Sequence, residues 1–139
     1  MKKYSLILSD EVAPNTKIRV YELCEDGQSI FQEFIDEVEN DGNQIANLAS
    51  AIRIIEDTAN LSTRPKTQFR PLVLKKMNCK VYEAKSGGIR VYLFHEEHTG
   101  RVIVTGGLKG DQDKDIKSVV KTIKAYQDEQ QTDKKRKNT

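Results

Sequence analysis

Residues 79–105, CKVYEAKSGGIRVYLFHEEHTGRVIVT, hold three short runs rich in β-branched and aromatic side chains. The runs are Cys79–Lys85 (CKVYEAK), Ile89–His95 (IRVYLFH) and Arg101–Thr105 (RVIVT). Ser86-Gly87-Gly88 separates the first two, and Glu96–Gly100 (EEHTG) separates the last two. Turn residues at those places predict an antiparallel meander. Alternation in the middle run sets Ile89, Val91 and Leu93 on one face and Arg90, Tyr92 and Phe94 on the other.

Towards the N-terminus, Lys17–Glu22 (KIRVYE) alternates in the same way and predicts a first strand, ending at Asp26-Gly27. Ser29 followed three positions later by Gln32 is a capping box. It opens a helix whose stripe is Ile30, Phe31, Phe34, Ile35 and Val38, stopped by Asn40-Asp41-Gly42. A second helix follows with Ile45, Leu48, Ala49, Ile52 and Ile55 on one side, so the pair predicts an antiparallel helical hairpin with acidic outer faces. Asn60–Gln68 (NLSTRPKTQ) is a polar loop around Pro65. Beyond the meander, Gly106-Gly107 is expected to break the third strand. A third helix then begins among Asp111, Asp113 and Asp115, with a stripe of Ile116, Val119, Val120, Ile123 and Tyr126.

The expected fold class is therefore α+β, a small twisted antiparallel sheet with an N-terminal helical hairpin and a C-terminal helix, in the order β-α-α-β-β-β-α. The helices are expected on one face. With 139 residues and 15.8 kDa, one domain over 1–127 accounts for the chain, 1–16 being an N-terminal extension and 128–139 a disordered basic tail. No apolar run reaches the roughly 18 residues of a membrane span, and Leu6–Leu8 is too short for the core of a secretory signal. Cys24 and Cys79 suit neither a disulfide scaffold nor a CxxC site, and two histidines do not complete a zinc set. A cytoplasmic domain with no metal, no cofactor and no membrane partner is expected.

The net charge of +2 conceals a division. Residues 1–60 carry a balance of −7 and residues 61–139 one of +9, of which the terminal KKRKNT supplies four. A basic half points to a polyanionic partner, most often nucleic acid. The face of Arg90, Tyr92 and Phe94, flanked by Lys80 or Lys85, could grip phosphates and stack bases. The same residues also fit a solvated sheet face whose arginine pairs with a local carboxylate such as Glu83. Gly106–Lys114 (GGLKGDQDK) lacks the spacing of a phosphate-binding loop, and its aspartates would repel phosphate. Lys109 remains a phosphate contact beside Arg90. His95 and His98 read as turn residues, Glu33, Asp36, Glu37 and Glu39 as a solvated helix face, and Cys79 as a buried strand residue.

Taken in order, Tyr82-Glu83-Ala84-Lys85, Gly87-Gly88-Ile89-Arg90-Val91-Tyr92 and Gly107-Leu108-Lys109-Gly110-Asp111-Gln112 resemble the RelE/HigB-like toxins of bacterial type II toxin–antitoxin modules. That family pairs a YE-x-[RK] strand with a glycine turn, a G-x-R-hydrophobic-aromatic strand and a Gly-[FL]-x-K-x-x-Q stretch before the last helix. The resemblance spans roughly 17–127, residues 17–60 matching by element order only. It implies a ribosome-dependent mRNA endonuclease that inhibits translation without a metal or cofactor, leaving a 2′,3′-cyclic phosphate, and that a cognate antitoxin neutralises by covering the basic face. By position, Arg90, Lys109 and Lys85 would be catalytic, while Lys80, Tyr92, Lys114 and Arg70 would bind RNA. Gly110 stands where the family has a second basic residue, and Ile116 where some members have a tyrosine, so the general base is unassigned. Two other outcomes fit the same residues: a non-enzymatic ParE-like gyrase inhibitor, and a toxin remnant that only binds nucleic acid. Codon preference, the antitoxin's identity and the oligomeric state are not legible in the sequence.

Overall fold

A computed structural model describes residues 2–137. Among them are seven strands in one mixed sheet and three helices, an α+β fold. The meander forms as the turn residues predict. Strands β5 (Val81–Ser86), β6 (Ile89–Glu96) and β7 (Gly100–Leu108) pair antiparallel, with Glu83 opposite Tyr92, Lys85 opposite Arg90, and Arg90 opposite Gly107. Gly106-Gly107 does not break β7. The Phe34 ring covers Gly106 and the Asp115 carboxylate lies over Gly107, places where a side chain on either residue would collide. These glycines keep the strand pairing while letting neighbours rest on its backbone.

The first predicted strand lies slightly later, as β2 (Val20–Glu25), and runs parallel to β7. Gly100 permits this. At φ 138° it starts β7 directly against the Arg19 carbonyl, to which Arg101 N–H donates at 2.9 Å. Two further strands complete the edges. Tyr4–Leu8 (β1) pairs with β2, and Phe69–Pro71 (β4) pairs with β5. The pair Gln28–Ser29 (β3) folds back on β2, and the order is β1-β2-β7-β6-β5-β4. Residues 4–8, expected as an extension, are thus an integral strand.

Ser29 caps helix α1 (Ile30–Asp41), accepting a bond from Gln32 N–H at 3.2 Å, and Gly42 ends it in the left-handed region. Helix α2 (Ile45–Ala59) buries Leu48, Ala51, Ile54 and Ile55, while Ile45 stays 48 % exposed. This hairpin packs on one sheet face with Val20, Ala84, Ile89, Val91, Leu93 and Ile103. Helix α3 (Gln112–Lys137) lies on the opposite face, where Val119, Ile123 and Tyr126 meet Leu23, Val81, Tyr92, Phe94, Val102 and Val104. The expectation of helices on one face is therefore corrected. Ile89–Phe94 is buried on both sides, as near-continuous apolar runs are in two-sided sheets. The helix also runs ten residues beyond the predicted end at residue 127, through a stretch rich in Gln, Glu and Lys, all good helix formers. Residues 138 and 139 of the expected tail lie outside the described residues.

Candidate functional site

Strand β6 places Arg90 towards α3, at the end of the sheet where the β5–β6 turn meets the exit of β7. Lys85 is its register partner, half-buried on β5. Lys109 follows β7, exposed, and its N–H donates to the Gly88 carbonyl at 2.9 Å, which ties it to the same turn. The three cations proposed as catalytic thus belong to one corner of the molecule. Lys114, exposed in the first turn of α3, rises from the same corner.

Beneath them lies a polar network centred on Glu83, which is fully buried. Arg70 Nε, from the edge strand β4, donates to Glu83 Oε1 at 3.0 Å, and Gln112 Nε2, from α3, donates to Oε2 at 2.8 Å. Arg90 Nε stands 3.7 Å from Oε2, an ion pair beyond hydrogen-bond reach. Arg90 is only 8 % exposed, and its Nε and Nη1 have no hydrogen-bond partner among the described residues. The expected pairing of Arg90 with Glu83 is present, but the face that carries it is buried beneath α3 and not solvated. Arg70 likewise serves Glu83 first.

Tyr92 does not offer a stacking surface. Its ring is fully buried under α3, and its hydroxyl faces Glu83 across the strand pair without reaching hydrogen-bond geometry. Burial, followed by the Glu83 and Asp115 charges, pushes the phenol well above its usual range. Phe94 is buried in the same layer, its ring 5.9 Å from that of Tyr126. Lys80 is exposed just before β5. Five positions from Lys85 along an extended chain, it lies roughly 17 Å from the cationic corner and does not join it.

No family model, curated protein or solved structure matches the chain. The site stands on its own geometry.

The sequence did not disclose the roles of Gln112 and Asp115 at this corner, nor that of Arg101 outside it. Gln112 completes the Glu83 network. Asp115 presses its carboxylate on Gly107, with Oδ2 buried and unpartnered among the described residues; burial, then Asp111, raises its pKa, with Lys114 opposing. Arg101 belongs to the hairpin face. Its guanidinium lies 5.3 Å from the centroids of the Phe69 and Tyr82 rings, and its Nη1 donates to Thr58 Oγ1 at 2.7 Å. Only tertiary contacts define these roles. His98 sits at a positive φ in the β6–β7 turn, and Glu33, Asp36, Glu37 and Glu39 are exposed on α1, as expected. Cys79 is half-buried in the bend before β5 rather than buried in a strand, and accepts from Gln127 Nε2 at 3.5 Å. Among the described residues no cluster of His, Cys, Asp and Glu has the makings of a metal site, and no helix is long and apolar enough to cross a membrane.

Chemically, the corner can do one thing well. Lys85 and Lys109 bring two ammonium groups to the end of the sheet where the Arg90 guanidinium faces Glu83, charges of the kind that attract phosphoryl oxygens.

Proposed function

We propose that this chain is the toxin of a type II toxin–antitoxin module and acts in the cytoplasm as a ribosome-dependent mRNA endonuclease. The observation that carries the reading is the corner formed by Lys85, Arg90 and Lys109. The β2-α1-α2-β5-β6-β7-α3 frame, with β2 beside β7, supports it as a RelE-like topology to which β1, β3 and β4 are additions. In the proposed reaction the ribose 2′-oxygen attacks the adjacent phosphorus and the bond to the 5′-oxygen breaks. The 2′-hydroxyl gives its proton to water and the departing 5′-oxygen takes one from water, so that a 2′,3′-cyclic phosphate and a 5′-hydroxyl result. Lys85 and Lys109 neutralise the charge growing on the phosphate oxygens, and Arg90 fixes the phosphate between them. Lys114 extends the contact along the backbone. A cognate antitoxin, acidic where it meets this corner, would block it.

One observation favours the non-enzymatic alternative: Arg90 is shielded by α3 and its charge is answered by Glu83. A ParE-like binder of gyrase would use the same corner by protein contact alone. The two readings separate on induction in a bacterial host. The nuclease predicts growth arrest with new message 5′ ends in translated regions. Lys85→Ala and Lys109→Ala, both at accessible positions, should each slow cleavage roughly 10- to 100-fold, within the range for removing a transition-state donor. Arrest with intact messages and a DNA-damage response would establish the binder instead. Normal growth at confirmed soluble expression would refute both.

A further inference from the structure

The two edges of the sheet are finished differently. At one, β4 is three residues long, contains Pro71 and turns Arg70 onto Glu83. Short length, proline and charge are the means by which edges resist pairing. At the other, β1 reads YSLIL, without proline or charge. Ile7 is 47 % exposed and Leu8 38 %.

The backbone at this open edge can be assigned. Ser9 N–H donates to the Val20 carbonyl at 2.9 Å, and Asp26 N–H to the Lys3 carbonyl at 2.7 Å. With Tyr4 opposite Glu25 and Leu8 opposite Tyr21, the groups of Lys3, Ser5, Ile7 and Ser9 face β2. Those of Tyr4, Leu6 and Leu8 face outward. Tyr4 N–H is already bonded to both oxygens of Glu129, at 3.0 and 3.1 Å. Leu6 and Leu8 have no such partner among the described residues.

Charge adds a direction. Lys2 and Lys3 precede the strand and Asp10 and Glu11 follow it, all exposed. Lys2 pairs with Glu25, whereas Lys3 makes no ion pair among the described residues. Such a strand is complementary to itself when reversed. We propose that β1 is a self-association edge, pairing antiparallel with β1 of a second copy about a two-fold axis at Ile7.

The register follows from what is free. A pairing centred on Leu6 would need the Tyr4 N–H that Glu129 occupies. Centred on Ile7, Leu6 exchanges both backbone bonds with Leu8 of the second copy, and Leu8 with Leu6, giving four bonds. Ile7 then meets its own counterpart as a non-hydrogen-bonded pair on the hairpin side, where its exposed side chain loses water. The Lys2–Lys3 end of one strand then lies beside the bend over residues 10–12 of the other copy, which carries Asp10 and Glu11. The sheet becomes continuous across the axis. This association is independent of the proposed nuclease activity.

Cross-linking tests the register directly. Paired positions on the axis have Cα atoms about 4.5 Å apart, within disulfide reach, whereas the two Ser5 residues would be roughly 13 Å apart. In the full chain carrying Cys24→Ala and Cys79→Ser, so that no thiol remains opposite position 5, Ile7→Cys should give a covalent dimer on oxidation and Ser5→Cys should not. Sedimentation equilibrium should find the unmodified chain at twice 15.8 kDa. Ile7→Asp, which sets like charges face to face on an exposed position, should be monomeric with an unchanged circular dichroism spectrum. Lys3→Glu, which sets an acidic group beside the acidic end of the other copy, should weaken association roughly tenfold. A monomeric unmodified chain would overturn the proposal and leave the edge to another protein's strand. So would a dimer that persists in Ile7→Asp, or equal cross-linking through Ser5→Cys.

Discussion

Replacing Glu83 by alanine would leave the Arg90 guanidinium, 8 % exposed, without the carboxylate it faces, and would strip Arg70 and Gln112 of their acceptor. Breaking a buried pair from one side costs about 3–5 kcal/mol, so Glu83→Ala should lower the urea midpoint far more than Arg70→Ala, whose side chain is 43 % exposed. The comparison by denaturant titration checks which partner organises the network. Asp115 makes a different prediction. Burial raises its folded pKa above the unfolded value, so between the two values the native chain binds more protons and stability falls as pH rises. Asp115→Asn should therefore raise the midpoint at pH 7, and the gain should fade as pH falls through the raised folded value and be gone below the unfolded aspartate value of about 3.9. A gain that grows on acidification would contradict the burial argument.

Single helices and strands differ in how far the sequence disclosed them. The meander was legible because its turns carry Gly and its runs alternate, and α1 because Ser29 and Gln32 mark its start. The edge strands β1 and β4 were not: a run of three to five residues becomes a strand only by pairing with a neighbour far along the chain. The open face expected around Arg90 and Tyr92 was misread because a charged residue in β6 imitates a solvent-facing position, while α3 covers the tyrosine two places on. The cationic corner was legible for a simpler reason. Lys85 and Arg90 flank a tight turn, and Lys109 ends the adjoining strand. Ser29 links this scale to stability, since its hydroxyl both caps α1 and donates to the buried Glu22 carboxylate at 2.6 Å. Ser9 Oγ holds the other Glu22 oxygen at 2.6 Å. Ser29→Ala should cost about 1–3 kcal/mol, more than an ordinary cap, because a buried acceptor loses a donor. Thermal unfolding measures it. Ending the chain after Gln131 should cost far less, because α3 buries no apolar residue beyond Tyr126 within its described stretch.

Across the whole molecule, one sheet serves two apolar layers, and β6 contributes to both: Leu93 to the hairpin side, Phe94 to the α3 side. Neither layer can be lost while the other keeps its strands. Leu93→Ala and Phe94→Ala should each cost about 2–5 kcal/mol, and in both variants helix and aromatic signals should be lost in one transition. Separate transitions would mean that the layers are independent. The parallel contact between β2 and β7 joins Val20 to Arg101, 81 positions later. A ribosome adding about 5–20 residues per second needs roughly 4–16 s to cross that interval. Throughout that time Val20, Leu23 and the hairpin have been made but lack the strand that closes the sheet over them. Each newborn chain therefore passes through an unfinished interval, with its apolar strands open to chaperones and to neighbouring nascent chains.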